Sequence, residues 1–349
     1  MKAAILKNYR NFVIEEKSKP AINEDEVLVK NTYASICGTD QHIFNGEFHP
    51  RTKLPFIPGH EFAGRIEYVG KNVSGLSIGQ KVTVDPIIPC GECQACQRKH
   101  YPACTALKLI GIDLDGGFTE YVSVKPEMIY PVPEKVKDEH AALIEVLSIG
   151  FHACKRAKLK EEDSFVIWGA GKVGQSILHA SKTISNGKVF VVDIIEERLK
   201  MVKSVYTDVE VINARFTDPI KKVKELTGNV GVDLAFEAVG HAEIIPERLN
   251  PVRSCINSIR GGGKVCVLGL SDEPAEILMK ELIWKEATLV TSRVSHGEYK
   301  DSIEALTEGR LNPDSMITSI MNLDDIQDAF TLLENYPEKH LKILLKISE

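Results

Sequence analysis

Apolar residues recur along this chain with two different periods. Before residue 139, short runs alternate apolar and polar positions between Gly and Pro, as in EVLVKNTYAS, EFAGRIEYVG, QKVTVDPII and FTEYVSVKP. Many short strands with turn signals between them predict an all-β barrel or sandwich. From residue 139 the spacing becomes helical in EHAALIEVLSIGFHACKRA. Strands and helices then alternate: DSFVIWGAG, KVGQSILHASKTI, KVFVVDI, EERLKMVKSV, VEVIN, DPIKKVKELTG and VDLAFEAVG. A helical stretch over 247–259, the strand KVCVLGL and a closing strand ATLVTS follow. This alternation predicts a doubly wound parallel sheet. Helices around SIEALTEGR and DDIQDAFTLLEN come next. The last strand, LKILLKI, is read as returning to the first domain, so that the nucleotide-type domain is an insertion.

Composition narrows the partners. The chain has 349 residues, 43% hydrophobic and 26% charged, with a formal net charge of −6. This is the make-up of a soluble protein with two cores, and its sign argues against nucleic acid or an anionic membrane. No apolar run approaches the roughly 20 residues that span a bilayer. The N-terminus, MKAAILKNYRNF, lacks the apolar core of a signal peptide. The expectation is a cytoplasmic protein with reduced thiols.

Four of eight cysteines, Cys90, Cys93, Cys96 and Cys104, crowd one loop as C-x2-C-x2-C-x7-C. Such a loop has little apolar content, and a tetrahedral ion held by four thiolates would replace the missing core. Three other readings compete with structural zinc. Four unrelated buried thiols would hardly reach this density. A disulfide pair does not suit a chain without a secretion signal. An iron–sulfur cluster would call for a last gap of three followed by proline, which this loop lacks. A closed four-thiolate site does no chemistry, so the chemistry lies elsewhere.

Gly169, Gly171 and Gly174 form G-x-G-x-x-G between the strand FVIW and a helix. In that context the glycines allow a tight turn, backbone approach to a pyrophosphate, and close helix–strand packing. The helix N-terminus favours the phosphates. Asp193 ends the next strand, where an acid binds ribose hydroxyls and repels a 2′-phosphate. NAD is therefore expected rather than NADP. Arg198 could approach the ribose or stack on adenine.

The segment ASICGTDQHIF places Cys37, Thr39 and His42 together. PFIPGHEFAG supplies His60 and Glu61, and AALIEVLSIG supplies Glu145. A soft thiolate, an imidazole and carboxylates are the donor mix of an open zinc site. With ICGTDQH, GHEFAG, the four-cysteine lobe, DGGFTEY, ALIEVLSIGFHAC and GAGKVG in order, the chain resembles the medium-chain zinc-dependent alcohol dehydrogenases. The likeness is to their sorbitol (polyol) and threonine dehydrogenase branch, and it covers essentially the whole sequence.

The resemblance implies a GroES-like β-barrel catalytic domain over 1–152 and 292–349, with the zinc lobe at about 88–106, and a Rossmann NAD-binding domain over 153–291. It implies two zinc ions per chain. Cys37 and His60, with Glu61 and Glu145 as the carboxylate positions, would hold the catalytic one. Thr39 and His42 match the proton relay, and Arg293 in SRVSHGEY is the candidate substrate contact. Two positions depart from the pattern. Gly38 stands where liver-type relatives carry a basic residue, and Val146 follows Glu145 where many relatives have proline.

The activity implied is hydride transfer from a secondary alcohol (a polyol, sugar acid or small diol) to NAD, giving a ketone. A threonine-type amino alcohol dehydrogenase would instead need an anion site, for which Arg51 or Arg293 is available. A non-catalytic relative, or a zinc-free quinone reductase, would be expected to lose the metal ligands or the relay. The apolar strand ATLVTS, at a sheet edge, predicts a homodimer or homotetramer through strand pairing.

Overall fold

A computed structural model of the protein describes residues 1–240 and 248–348. These divide into two compact units, Met1–Val146 with Tyr299 onward, and Leu147–Glu298.

The first unit opens with a hairpin of β1 (Lys2–Asn8) and β2 (Asn11–Glu16). β3 (Val27–Ser35) leads into helix α1 (Gly38–Asn45), and β4 (Glu61–Val69) and β5 (Lys81–Val84) follow. Short pieces come next: β6 (Ile87–Ile88), α2 (Gln94–Gln97), β7 (Lys108–Leu109), β8 (Tyr121–Val124) and β9 (Ile129–Pro131). The helical pattern after residue 138 divides into α3 (Asp138–Ala141) and α4 (Ile144–Ala157). α4 carries the chain from one unit to the other, its first three residues counting with the first.

The second unit alternates. β10 (Phe165–Trp168), α5 (Lys172–Lys182), β11 (Val189–Asp193), α6 (Glu196–Val205), β12 (Glu210–Asn213), α7 (Pro219–Leu226) and β13 (Val232–Glu237) match the sequence pattern. α8 (Pro251–Ser258) lies within the helical stretch read at 247–259, whose first residue falls outside the described residues. α7 and α8 start alike. Asp218 and Asn250 cap the N–H of Lys221 and Arg253, and proline takes the first helical position. β14 (Ile259–Val267) begins before the expected KVCVLGL, through a run of glycines. An unforeseen helix, α9 (Met279–Lys285), precedes β15 (Thr288–Thr291).

The six strands of this sheet are parallel, in the order β12-β11-β10-β13-β14-β15. β10, β11 and most of β13 are buried, as strands covered on both faces must be. The chain leaves β10 toward β11 and β12, then returns to its other side at β13. That reversal makes the β10–β13 junction the switch point, where such sheets bind ligands beyond their carboxyl ends.

The chain then returns to the first unit through α10 (Tyr299–Thr307), β16 (Ile317–Asn322), α11 (Ile326–Asn335) and β17 (Lys342–Lys346). The main sheet there runs β16-β17-β3-β4-β5-β9, with β8 also on β3. β17 and β4 flank β3 antiparallel, so Ser35 pairs with Leu344 on one side and Glu61 on the other. Residues distant in sequence meet at the end of β3. Among the described residues, no helix is long and apolar enough to cross a membrane.

Candidate functional site

The end of β3 delivers Cys37, which becomes the N-cap of α1. Its backbone N–H donates to Asp40 Oδ2 at 2.8 Å, so the first turn of α1 locks around it. The start of β4 delivers His60 and Glu61. The ligand atoms of Cys37, His60 and Glu61 lie within 4.8 Å of one another, a spacing that suits a shared ion. His60 is buried, and its Nδ1 has no hydrogen bond, although Asp40 Oδ1 lies 3.4 Å away. Burial opposes charge on the ring, but Asp40 and Cys37 outweigh it and raise the His60 pKa well above 6.5.

Glu61 is fully buried and paired with an equally buried lysine, Lys342 of β17, which donates to both carboxylate oxygens. Burial raises the Glu61 pKa, but Lys342, His60 and Ser35 outweigh that and lower it. Glu145, in the first turn of α4, stands outside the group of three. It is buried, its Oε2 has no hydrogen bond, and burial together with the Glu61 charge pushes its pKa up to about 8. Unsatisfied buried acceptors around one mixed N/O/S donor set form a cradle for a cation, and zinc fits these donors.

Sequence reasoning missed Asp40 and Lys342. Asp40 had a weak signal, three residues after Cys37 in a capping-box position. For Lys342 the signal was a lysine inside an apolar strand.

Thr39 lies in the first turn of α1 and His42 in its last, three residues apart and so on neighbouring positions of one helical face. His42 is exposed, with Nδ1 2.5 Å from Glu47 Oε2. That carboxylate favours the proton on Nδ1 and leaves Nε2 as the accepting atom. Arg51 makes a two-pronged pair with Asp113, at 2.9 and 2.8 Å, as a surface charge would.

The four-cysteine lobe is a second cluster. Its sulfurs also lie within 4.8 Å of one another. Cys93 and Cys96 are 3.5 Å apart, and Cys90 and Cys96 are 3.9 Å apart. Sulfurs around a tetrahedral ion at about 2.3 Å would be about 3.8 Å apart. The backbone N–H groups of Cys93 and Cys90 point at Cys90 Sγ and Cys104 Sγ. Backbone donors at Cys96 and Thr105 lower the Cys93 thiol to about 6, whereas burial and neighbouring thiols push Cys96 up to about 12. All eight cysteines are free thiols. Spacing and donors alike fit zinc.

In the second unit Gly169 turns the chain at φ +97, which favours glycine. A Cβ on Gly174 would lie 1.8 Å from the Gly169 carbonyl oxygen, so only glycine lets α5 pack there. A Cβ on Gly171, the N-cap of α5, would meet only Arg198 Nη1, at 3.8 Å. The protein does not fill that space, and a phosphate approaching the helix N-terminus would find room in it. Asp193 Oδ2 accepts from Ala170 N–H at 2.6 Å, and Oδ1 from Ile194 and Ile195 at 2.7 and 2.8 Å. Arg198 Nη1 lies 4.0 Å from Asp193 Oδ2. Arg293 is exposed, just beyond β15.

Residues 23–134 match the alcohol dehydrogenase GroES-like domain family, and residues 173–308 the zinc-binding dehydrogenase family. The starvation-sensing protein RspB of Escherichia coli (strain K12) is 31% identical over 350 residues, which cover 100% of both chains. The sorbitol dehydrogenase of Bacillus subtilis (strain 168) is 32% identical over 349 residues, covering 99% of this chain and 97% of its own. A solved structure of a short chain alcohol dehydrogenase (rspB) from E. coli CFT073, complexed with NADH, is similar at a TM-score of 0.90. It is 30% identical, with 99% of each chain covered.

Proposed function

This chain belongs to the zinc-dependent medium-chain alcohol dehydrogenase family, and from that premise we propose that it oxidises a secondary alcohol with NAD. The substrate class is a polyol, sugar acid or small diol, and the products are a ketone, NADH and a proton. The observation that carries this reading is the trio of half-buried Cys37 and buried His60 and Glu61, with His60 Nδ1 left without a hydrogen bond.

Cys37, His60 and a carboxylate, Glu61 or Glu145, would hold the catalytic zinc, and Cys90, Cys93, Cys96 and Cys104 the structural one. When bound, the catalytic ion supplies Lewis acidity that makes an alcohol hydroxyl easier to ionise, and the dinucleotide supplies the hydride acceptor.

The chain's own residues do the rest. Thr39 Oγ1 holds the substrate hydroxyl and orients its proton. His42 Nε2 takes that proton onward to water, with Glu47 fixing the ring from the Nδ1 side. Gly169, Gly171 and Gly174 receive the pyrophosphate. Asp193 both braces the glycine turn, through Ala170, and meets the ribose hydroxyls, with Arg198 beside it. Its charge opposes a 2′-phosphate, so NAD is preferred. Arg293 is the candidate contact to a polar substrate group. With Arg51 occupied by Asp113, the amino-alcohol reading has one fewer anion site to call on.

The oligomer forms through the edge strand β15. Leu289 on this strand and Met279, Ile283 and Trp284 on the preceding helix are exposed apolar residues. A monomer by light scattering would refute this assembly. Free thiols throughout suit a reducing, cytoplasmic compartment.

The decisive experiment is an NAD reduction screen over polyols, sugar acids, diols and hydroxy amino acids, with elemental analysis of the same sample. Turnover on a polyol-type substrate and two zinc per chain are expected. No reduction with any of them, or a metal-free active enzyme, would overturn the reading.

A further inference from the structure

Val294 lies just past β15 with φ +47, in the left-handed region. A β-branched residue is an outlier there, because its side chain crowds the backbone. Among the described residues, five other non-glycine residues take a positive φ: Arg10, Lys99, Lys158, Asn229 and Glu286. None is β-branched, and each has a local reason. Arg10 turns the β1–β2 hairpin. The other four stand just beyond the ends of α2, α4, α7 and α9, where helices commonly finish in this conformation. Val294 ends no helix and turns no hairpin.

Its neighbours hold it in that conformation from both sides. Upstream, Arg156 Nε of α4 donates to the Thr291 carbonyl oxygen at 3.1 Å, and the Ser292 N–H donates to the Val267 carbonyl oxygen of β14 at 3.0 Å. Downstream, the His296 N–H donates to Glu298 Oε2 at 2.5 Å, and Glu298 is itself held by His152 and Lys155 of α4. Ser292 and Ser295 are buried on either side, whereas Arg293 is exposed. A strained residue persists only where its surroundings over-determine it, and such residues gather at functional sites. What this pinned turn presents is Arg293.

We propose that Val294 is a positioning residue for substrate specificity: its left-handed turn, pinned at both ends, aims Arg293 at a polar group beside the reacting carbon of the alcohol. This rests on the secondary-alcohol reading above, in which Arg293 is the substrate contact. An aimed guanidinium matters only for a substrate with a second polar group to meet it. Relaxing the turn should therefore weaken binding of such a substrate and leave the hydride step alone. Glycine adopts positive φ freely but is equally free elsewhere, so it relieves the strain and loses the aim. Asparagine tolerates the left-handed region and still carries a side chain that limits the alternatives, so it relieves the strain and keeps the aim.

The probes are sorbitol, 2,3-butanediol and gluconate, which carry polar groups beside the reacting carbon, and 2-propanol, which carries none. In Val294→Gly the KM for whichever of the first three is turned over should rise by about tenfold, with kcat within about twofold and kcat/KM for 2-propanol unchanged. In an Arg293→Ala background the same substitution should raise KM no further. Val294→Asn should melt above wild type and keep KM within about twofold. Unchanged KM in Val294→Gly would overturn the proposal. So would an equal loss on 2-propanol, a further loss in the Arg293→Ala background, or a Val294→Asn protein that melts below wild type. A wild-type enzyme that makes no NADH from any of the first three would instead overturn the polyol-type reading itself, a failure visible before any variant is made.

Discussion

The two candidate metal sites of the first unit are built on opposite plans. The four-cysteine lobe draws its ligands from one short stretch, Cys90 to Cys104, and uses one donor type. Its sulfurs already lie near tetrahedral spacing, and backbone N–H groups already point at two of them. The Cys37 cluster is gathered from the end of β3 and the start of β4, with Lys342 of β17 paired to Glu61 and Glu145, at the head of α4, beside it. It mixes donors and keeps buried polar atoms unsatisfied at His60, Asp40 and Glu145. A saturated, local site has nothing left to offer a substrate and serves the fold. An under-saturated, long-range site is held by the fold and retains capacity for chemistry.

Removing one thiol from each cluster should break that comparison most sharply. Cys37→Ser should lower turnover by about 10³-fold or more while unfolding stays near wild type, because the surrounding sheet still stands. Cys96→Ser should do the reverse, with loss of zinc and a fall in melting temperature before any specific effect on kcat. Zinc content, calorimetry and steady-state rates on both variants check this. Full activity in Cys37→Ser would remove the catalytic assignment.

The next effect concerns the buried pair. Lys342→Met leaves the Glu61 carboxylate buried without its cation, which should cost about 3–5 kcal/mol in denaturant unfolding of the zinc-free protein. Adding Glu61→Gln should recover much of that, because the uncompensated charge is gone. Additive losses would show that the two side chains are not coupled.

His42→Ala should be milder. Alcohol oxidation should slow by about tenfold near neutral pH and by less at high pH, where hydroxide takes the proton directly. Thr39→Val should be worse at every pH. A His42→Ala profile superimposable on wild type would mean that protons leave by another route.

What was legible in the sequence follows the same division. The cysteine lobe, the glycine turn and the alternation from β10 to β13 rest on neighbours in the chain, and spacing records them. β14 was read too short because its first half is IRGGGKVCV, and glycines argue against a strand whose packing is decided elsewhere. Lys342 and Glu61 are 281 residues apart, so no local period links them. Glu237 reads as the end of a strand, and only the structure shows its carboxylate accepting from Val239 and Gly240 N–H after β13 and from Gly269 N–H after β14.

The smallest effect tests whether the second unit also depends on a long-range acid. Glu298 is buried, with Oε1 3.2 Å from both His152 Nδ1 and Lys155 Nζ of α4. Burial would raise its pKa, but His152, the His296 N–H and Lys155 prevail and hold it down to about 2. A carboxyl whose folded value lies below its ordinary 4.5 contributes stability that is fully present above that pH and is lost as pH falls toward 2. The gap in melting temperature between wild type and Glu298→Gln should therefore be constant from neutral pH down to about 5 and close progressively below it. Lys155→Met should narrow the gap at neutral pH less than His152→Phe does, since Lys155 is largely exposed and its pairing is screened by water. A gap that stays open at pH 3 would place the stabilising contact in the neutral side chain's packing rather than in its charge.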